Sequence, residues 1–185
     1  MTELTLPRPE YPRPQWVRPD WINLNGSWQF EIDYGKSGKE RGFHEPGHAL
    51  SGTITVPFCP ESKLSGVEYK DFMAAVWYRR EFEVPKDWNG RILLHFGAVD
   101  YETEVWVNGV SLGTHRGGYT PFSFDITSHV KPGENIVTVS AEDEVRSGRQ
   151  PRGKQADASI RMAAITPVRR GFGKRYGWSK CRRLI

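Results

Sequence analysis

The 185 residues suffice for one domain with a core of its own and leave too little chain for a second of ordinary size. With 19 Gly, 13 Pro and 12% aromatic residues, the composition suits a turn-rich all-β domain more than a helical one, and no apolar run approaches a membrane span. The net charge of +4 invites a nucleic-acid reading, but Met1 to Gln155 holds 18 Lys+Arg against 21 Asp+Glu, so the body is mildly acidic and no nucleic-acid partner is expected for it.

In chain order, residues 1–19 form a proline-rich arm. Pro7, Pro9, Pro12, Pro14 and Pro19 alternate with Arg8, Arg13 and Arg18, which favours extended backbone lying across a surface, with Tyr11 and Trp16 as apolar anchors. The opening Met-Thr-Glu-Leu-Thr-Leu-Pro-Arg lacks the charged and apolar regions of a signal peptide, so cytoplasmic residence and no membrane partner are the expectation. Trp21 to Asp33 reads as the first strand, turning at Asn25-Gly26 and placing Trp28, Phe30 and Ile32 on one face. Residues 34–51 are polar and glycine-rich, and read as a solvated loop. His44 and His48 have helical metal spacing, but Gly42, Pro46 and Gly47 argue against a helix, and no metal or cofactor is expected. Thr53–Val56 is a short strand ended by Pro57, and residues 58–72 are irregular. Cys59 and Cys181 make neither a disulfide framework nor a metal spacing, and Cys59 reads as a packed or loop thiol.

Val76 to Val84 is the longest alternating stretch, with Val76, Tyr78, Arg80, Phe82 and Val84 on one side and Trp77, Arg79, Glu81 and Glu83 on the other. Ile92–Phe96 is apolar enough for burial on both faces. Asp100 then opens a hairpin. Thr103, Val105 and Val107 point one way, Glu104 and Trp106 the other, and Asn108-Gly109 is the pair a type I′ turn wants, since both central residues need positive φ. Val110, Leu112 and Thr114 return, Gly117-Gly118 breaks direction, and Phe122 to Ile126 alternates again. Pro132-Gly133-Glu134-Asn135 turns into a last strand, inward at Ile136 or Val137. Short strands at turn-punctuated spacing, with no helix-period segment, predict an antiparallel β-sandwich over 20–155.

The literal text carries more than the spacing. Leu24-Asn-Gly-Ser-Trp28-Gln-Phe30, Trp77-Tyr-Arg-Arg-Glu-Phe-Glu-Val-Pro85, Val105-Trp-Val-Asn-Gly109, Arg116-Gly-Gly-Tyr-Thr-Pro-Phe-Ser-Phe124 and Gln150-Pro-Arg-Gly-Lys-Gln155 together resemble the N-terminal domain of family 2 glycoside hydrolases, the β-galactosidase and β-glucuronidase group. The resemblance implies a galactose-binding-like jelly roll that serves as an accessory domain to a glycosidase. It also implies that the immunoglobulin-like and barrel domains of the same polypeptide are its partners, and that the catalytic carboxylates lie in the barrel. Glycoside hydrolysis of this type needs two carboxylates flanking the scissile bond. Asp100, Glu102 and Glu104 are the local carboxylates, but nothing here resembles the family's catalytic motifs, so no catalytic residue is assigned and the chain alone is expected to be inactive. For a sugar ligand the candidates are Tyr101, His115, Tyr119 and Gln155, polar or aromatic residues at the ends of the hairpin and the Gln-Pro-Arg-Gly-Lys-Gln loop. A free-standing carbohydrate-binding module and a basic-tailed interaction protein are the alternatives.

Residues 156–185 break the pattern, with 8 Lys+Arg against one Asp+Glu and no strand alternation, and read as a disordered basic tail. Relatives of this kind continue with a tyrosine-rich segment, Thr-Gly-Ile-Trp-Gln and one more core strand. Back-translation from the third base of each codon lets residues 162–179 encode Gly-Cys-Tyr-Tyr-Thr-Arg-Thr-Thr-Gly-Ile-Trp-Gln-Thr-Val-Trp-Leu-Glu-Gln, which is that segment. The expectation is a reading frame that slips between Gln155 and Met162, leaving a fragment short of one strand.

Overall fold

The computed structural model describes residues 6–11, 18 and 20–144, together with the backbone of 176–181. Within these residues ten strands make two antiparallel sheets. They are β1 (Trp21–Asn23), β2 (Gly26–Asp33), β3 (Gly52–Val56), β4 (Ala75–Val84), β5 (Arg91–Phe96), β6 (Glu102–Val107), β7 (Val110–Arg116), β8 (Phe122–Asp125), β9 (Gly133–Glu142) and β10 (Tyr176–Cys181). The larger sheet has the order β3-β2-β4-β9-β6-β7, and the smaller one β1-β10-β5-β8. Among the described residues the only helical element is the 3₁₀ turn Lys63–Ser65, and the fold is the all-β jelly-roll sandwich that the sequence predicts. No helix among these residues is long and apolar enough to cross a membrane.

Alternation decides which side chains meet between the sheets. Val76, Tyr78, Phe82 and Val84 of β4, and Val137, Val139 and Ala141 of β9, face Ile92, Leu94 and Phe96 of β5 in one continuous core. That settles the last strand's register in favour of Val137. Each fully buried side chain of this size contributes about 1.5–3 kcal/mol. Arg80 shares the core face of β4, and its guanidinium is taken up by the carbonyls of Leu24 and Asn25, each at 2.9 Å. Burial lowers its pKa below the ordinary arginine value.

Four local expectations change. Trp21–Asp33 is two strands in different sheets, because the chain crosses over at the buried Asn25, which donates from Nδ2 to the carbonyl of Pro7 at 3.0 Å. In the arm, Tyr11 does anchor, edge-on to Trp21 at 4.7 Å, while Trp16 lies outside the described residues. In β5 burial alternates, with Leu93 and His95 only half-buried, so one face is solvated rather than both being covered. In β7 a bulge intervenes: Val105 pairs with Gly113 but Trp106 with Ser111, leaving Leu112 as the extra residue.

The fourth change concerns the tail. A stretch expected to hold no strand supplies β10, which pairs with β5 from Tyr176↔Phe96 to Cys181↔Arg91 and with β1 from Trp21↔Ser179 to Asn23↔Gly177. The central position of the smaller sheet is therefore occupied. Tyr176-Gly-Trp-Ser-Lys-Cys181 alternates aromatic or long residues with small ones, a period of two that the surrounding glycines and cations obscure. A ladder draws on backbone donors and acceptors, which any non-proline segment can offer. The rest of the tail lies outside the described residues.

Candidate functional site

One end of the sandwich gathers the candidate side chains. In the larger sheet, Asp33 of β2 pairs with Ala75 of β4, Ala75 with Glu142 of β9, Glu142 with Glu102 of β6, and Glu102 with Arg116 of β7. In the smaller sheet Phe96 of β5 pairs with Phe122 of β8 at this same end. A ring stack joins the two sheets there: His115 lies on Phe122 at 4.0 Å with planes 14° apart, and Phe122 lies on Phe96 at 4.8 Å and 12°.

The rim itself is the loop Gly117–Pro121. Gly117, at φ +125°, donates its N–H to the Tyr101 carbonyl at 2.9 Å, and Tyr101 donates its own N–H to the Glu142 carbonyl at 3.1 Å. These bonds bring three of the sequence-predicted residues to one rim. Tyr101 lies at the foot of the loop, His115 is stacked just inside it, and Tyr119 stands at its tip, 63% exposed. Thr120 Oγ1 comes within 3.4 Å of His115 Nε2. The fourth candidate, Gln155, lies outside the described residues.

The nearby carboxylates are already engaged. Glu102 accepts from Arg116 Nη2 at 2.9 Å, which holds Arg116 above the ordinary arginine range. Glu104 accepts from Lys39 Nζ at 3.0 Å and from Ser111 Oγ at 2.9 Å. Lys36 bridges Glu142 and Glu144 at 3.1 and 2.6 Å. Desolvation opposes its charge, yet the bonds to Glu144 and Glu142 win and hold its pKa above the usual lysine value. Chemically the rim offers an exposed aromatic face, an imidazole edge and a hydroxyl, which suit stacking and hydrogen bonding to a polyhydroxylated ligand. A cavity of about 410 Å³ opens elsewhere, toward the opposite end, between Ile22–Leu24 and the Arg80–Glu83 segment of β4.

Beside the rim, Tyr34 is 64% exposed and meets Tyr69 edge-on at 6.4 Å. Their hydrogen bond, and secondly burial, push the Tyr69 hydroxyl up to about 12. Because the folded value lies above the unfolded one of about 10, this contact stabilises the fold fully below about pH 10 and ceases to do so as pH rises through 12. An ultraviolet absorbance titration of Tyr69, read as the difference between parent and Tyr69→Phe, is expected to show it late and to return toward about 10 in Tyr34→Phe. An unchanged late titration in that variant would mean that burial alone is responsible.

Sequence reasoning missed the outer face of the larger sheet. Residues 34–51 are a strap packed over that face, with Phe43 fully buried and Leu50 nearly so against Trp77 and Trp106, whose rings stack at 5.2 Å. Asp33 starts it, accepting from Gly38 N at 2.6 Å, Ser37 N at 3.1 Å and Trp77 Nε1 at 3.2 Å. Gly38 is wedged between two rings: a Cβ there would sit 2.5 Å from Trp77 Cε2 and 2.7 Å from Phe43 Cδ2. Arg79 pins the middle, donating from its two Nη atoms to the carbonyls of Glu45 and Pro46, and its burial lowers its pKa below the ordinary value. His44 and His48 go to different rings, Trp106 at 5.5 Å and Phe43 at 4.8 Å. The signal was present in β4 and β6: two tryptophans on a face shared with Arg79, Glu81, Glu83 and Glu104 demand a cover.

The fold is a jelly-roll sandwich with a polar and aromatic rim at one end of its strands, an architecture that defines a class of binding domains but not by itself the ligand. The family described as "Glycosyl hydrolases family 2, sugar binding domain" matches residues 22–146, and the chain belongs to it. It is 33% identical over 134 residues to a β-glucuronidase of Paenibacillus borealis, covering 71% of this chain and 22% of that protein. It is 37% identical over 91 residues to a β-galactosidase of Thermoanaerobacter pseudethanolicus, covering 48% and 12%. Among solved structures, a β-glucuronidase of Ruminococcus gnavus superposes with a TM-score of 0.69 at 26% identity, over 85% of this chain and 27% of the other. The chain spans about a fifth or less of the length of these curated relatives, and matches the small sugar-binding domain of much longer chains.

Proposed function

We propose that this chain acts as the sugar-binding accessory domain of a family 2 glycoside hydrolase, offering the Tyr101–His115–Tyr119 rim to a carbohydrate while the catalytic carboxylates belong to a barrel domain. In a longer polypeptide the immunoglobulin-like and barrel domains would be its neighbours. The observation that supports the reading is the match of residues 22–146 to the family's sugar-binding domain, with an exposed aromatic ring and a stacked imidazole at one end of the sandwich.

The test is a titration followed by nuclear magnetic resonance, with methyl β-galactoside and methyl β-glucuronide as ligands. A shallow rim with few polar contacts recovers roughly 4 kcal/mol, so the expected dissociation constant is no better than about 1 mM, with shifts centred on residues 115–120. Tyr119→Ala is expected to abolish binding while changing stability by less than about 0.5 kcal/mol, since that ring is exposed. Absence of any shift with either sugar removes the reading, and micromolar affinity would favour a free-standing carbohydrate-binding module. Aryl glycosides are expected to be hydrolysed no faster than background. Turnover that disappears on mutating one carboxylate of this chain would show that it carries catalysis itself.

A further inference from the structure

Asp100 lies between β5 and β6, where the sequence offers it only as a carboxylate without a motif. The loop closes on it from outside: a Cβ on Gly118 would lie 2.6 Å from Asp100 Cγ and 3.1 Å from its Cβ, closer than side chains approach one another. The Gly117-Gly118 backbone is thus laid directly against the carboxyl group. The next residue after Asp100 accepts the Gly117 N–H at 2.9 Å, so the loop is bonded at Tyr101 and lies close against Asp100, two successive residues of one strand entry. Three residues after Gly117, Thr120 reaches His115 Nε2, and the imidazole is fixed in turn by its stack on Phe122. A glycine at 118 is what permits this approach, and a carboxylate facing a backbone turn is an acceptor for amide N–H groups.

We propose that Asp100 is the positioning residue of the sugar rim: its carboxylate, seated against Gly118, fixes the 117–120 loop and thereby sets the placement of Tyr119 and the orientation of His115. It acts through the loop and not as a contact to the ligand. This rests on the sugar-binding reading, which it deepens by naming what holds the rim in shape before a ligand arrives. Preorganisation of this kind raises affinity by removing the cost of ordering the loop on binding.

The experiment compares the full chain with Asp100→Asn, Asp100→Leu and Gly118→Ala, by amide hydrogen exchange at 117–120 and by titration with methyl β-galactoside. Asp100→Leu keeps comparable bulk but removes both acceptor oxygens, and Gly118→Ala pushes the backbone off the carboxylate. Each is expected to speed exchange at Gly117 and Thr120 by about tenfold or more, with β4 and β9 amides unchanged. Each is also expected to weaken sugar binding by roughly tenfold. Asp100→Asn retains one acceptor oxygen and is expected to stay within about threefold of the parent in both measurements. Unchanged exchange in Asp100→Leu and Gly118→Ala overturns the proposal, as does an Asn variant as damaged as the Leu one. If the parent binds no sugar, the functional reading fails separately, because the exchange pattern still decides whether Asp100 positions the loop.

Discussion

A version of the chain ending at Gln155 is expected to lose its cooperative thermal transition. β10 lies between β1 and β5, giving β1 its strand partner and β5 one of its two. Without it β1 is detached, and the backbone groups of Arg91–Phe96 along one edge lose their partners. The buried side chains of Ile92, Leu94 and Phe96 then open to water at that edge. The combined loss is comparable to the whole stability of a typical domain, about 5–15 kcal/mol. A second version, carrying the out-of-phase text through Ile-Trp-Gln-Thr-Val-Trp-Leu-Glu, is expected to melt highest of the three, because that text brings two tryptophans and a β-branched alternation to the same sheet. Truncating a packed tryptophan costs about 3–5 kcal/mol. Thermal melts followed by circular dichroism give the order. If the version ending at Gln155 melts as high as the full chain, β10 contributes nothing and the smaller sheet is self-sufficient.

Arg79→Met is the second change with a large expected effect, about 2–4 kcal/mol of lost stability. The side chain is almost fully buried, and its two Nη atoms donate to successive carbonyls of the strap, those of Glu45 and Pro46. Methionine fills the volume but leaves both oxygens without a donor under the packed ring cluster. Arg79→Lys is expected to recover only part of the loss, since a single ammonium does not reproduce the planar fork that meets two carbonyls at once. Equilibrium denaturation measures the total, and limited proteolysis locates it: cleavage at Lys39 and Arg41 is expected to precede global unfolding in the Met variant. Equal stability of parent and variant would mean that the aromatic contacts alone hold the strap.

Much of the sandwich is legible in the sequence because its determinants are local. Asn108 and Gly109 have φ of 51° and 82°, as a two-residue primed turn requires, and Val107 pairs with Val110 across it. The two faces of β4 separate along its alternation, even to the arginine placed among apolar residues. What escaped reading depends on distant chain. Phe43 and Leu50 are isolated apolar residues in polar text, and only the unspent tryptophans of β4 and β6 give them a destination. β10 has a weak pattern of its own and becomes a strand because a slot with two free ladders awaits it. The bulge at Leu112 leaves the alternation on each side intact, so periodicity does not reveal the extra residue. The turn chemistry around the hairpin places Tyr101, His115 and Tyr119 at one end of the sandwich, and Gln155 lies outside the described residues. Asp100, by contrast, is one of three local carboxylates in the sequence, and only the folded chain sets Gly118 against it.

The strap has a consequence for what the domain can lean against. It leaves the rim end at Asp33, runs across the larger sheet and brings Pro46 against the Asn108-Gly109 turn, where a Cβ on Gly109 would lie 2.9 Å from Pro46 Cδ. Leu50 and Ser51 then tie the return leg to Gln29 and Glu31. Among the described residues the strap therefore covers the part of the larger sheet around Trp77, Arg79 and Trp106, while Glu81 and Glu83 farther along β4 stay exposed. A second body meeting the larger sheet over the two tryptophans touches the strap first. On the smaller sheet, β5 and β8 present half-buried Leu93 and the His95–Ser123 pair, bonded at 2.7 Å, directly to whatever lies outside. A domain built from two superficially similar layers is in this way made directional, and the direction is set by eighteen residues whose own composition reads as nothing but a loop.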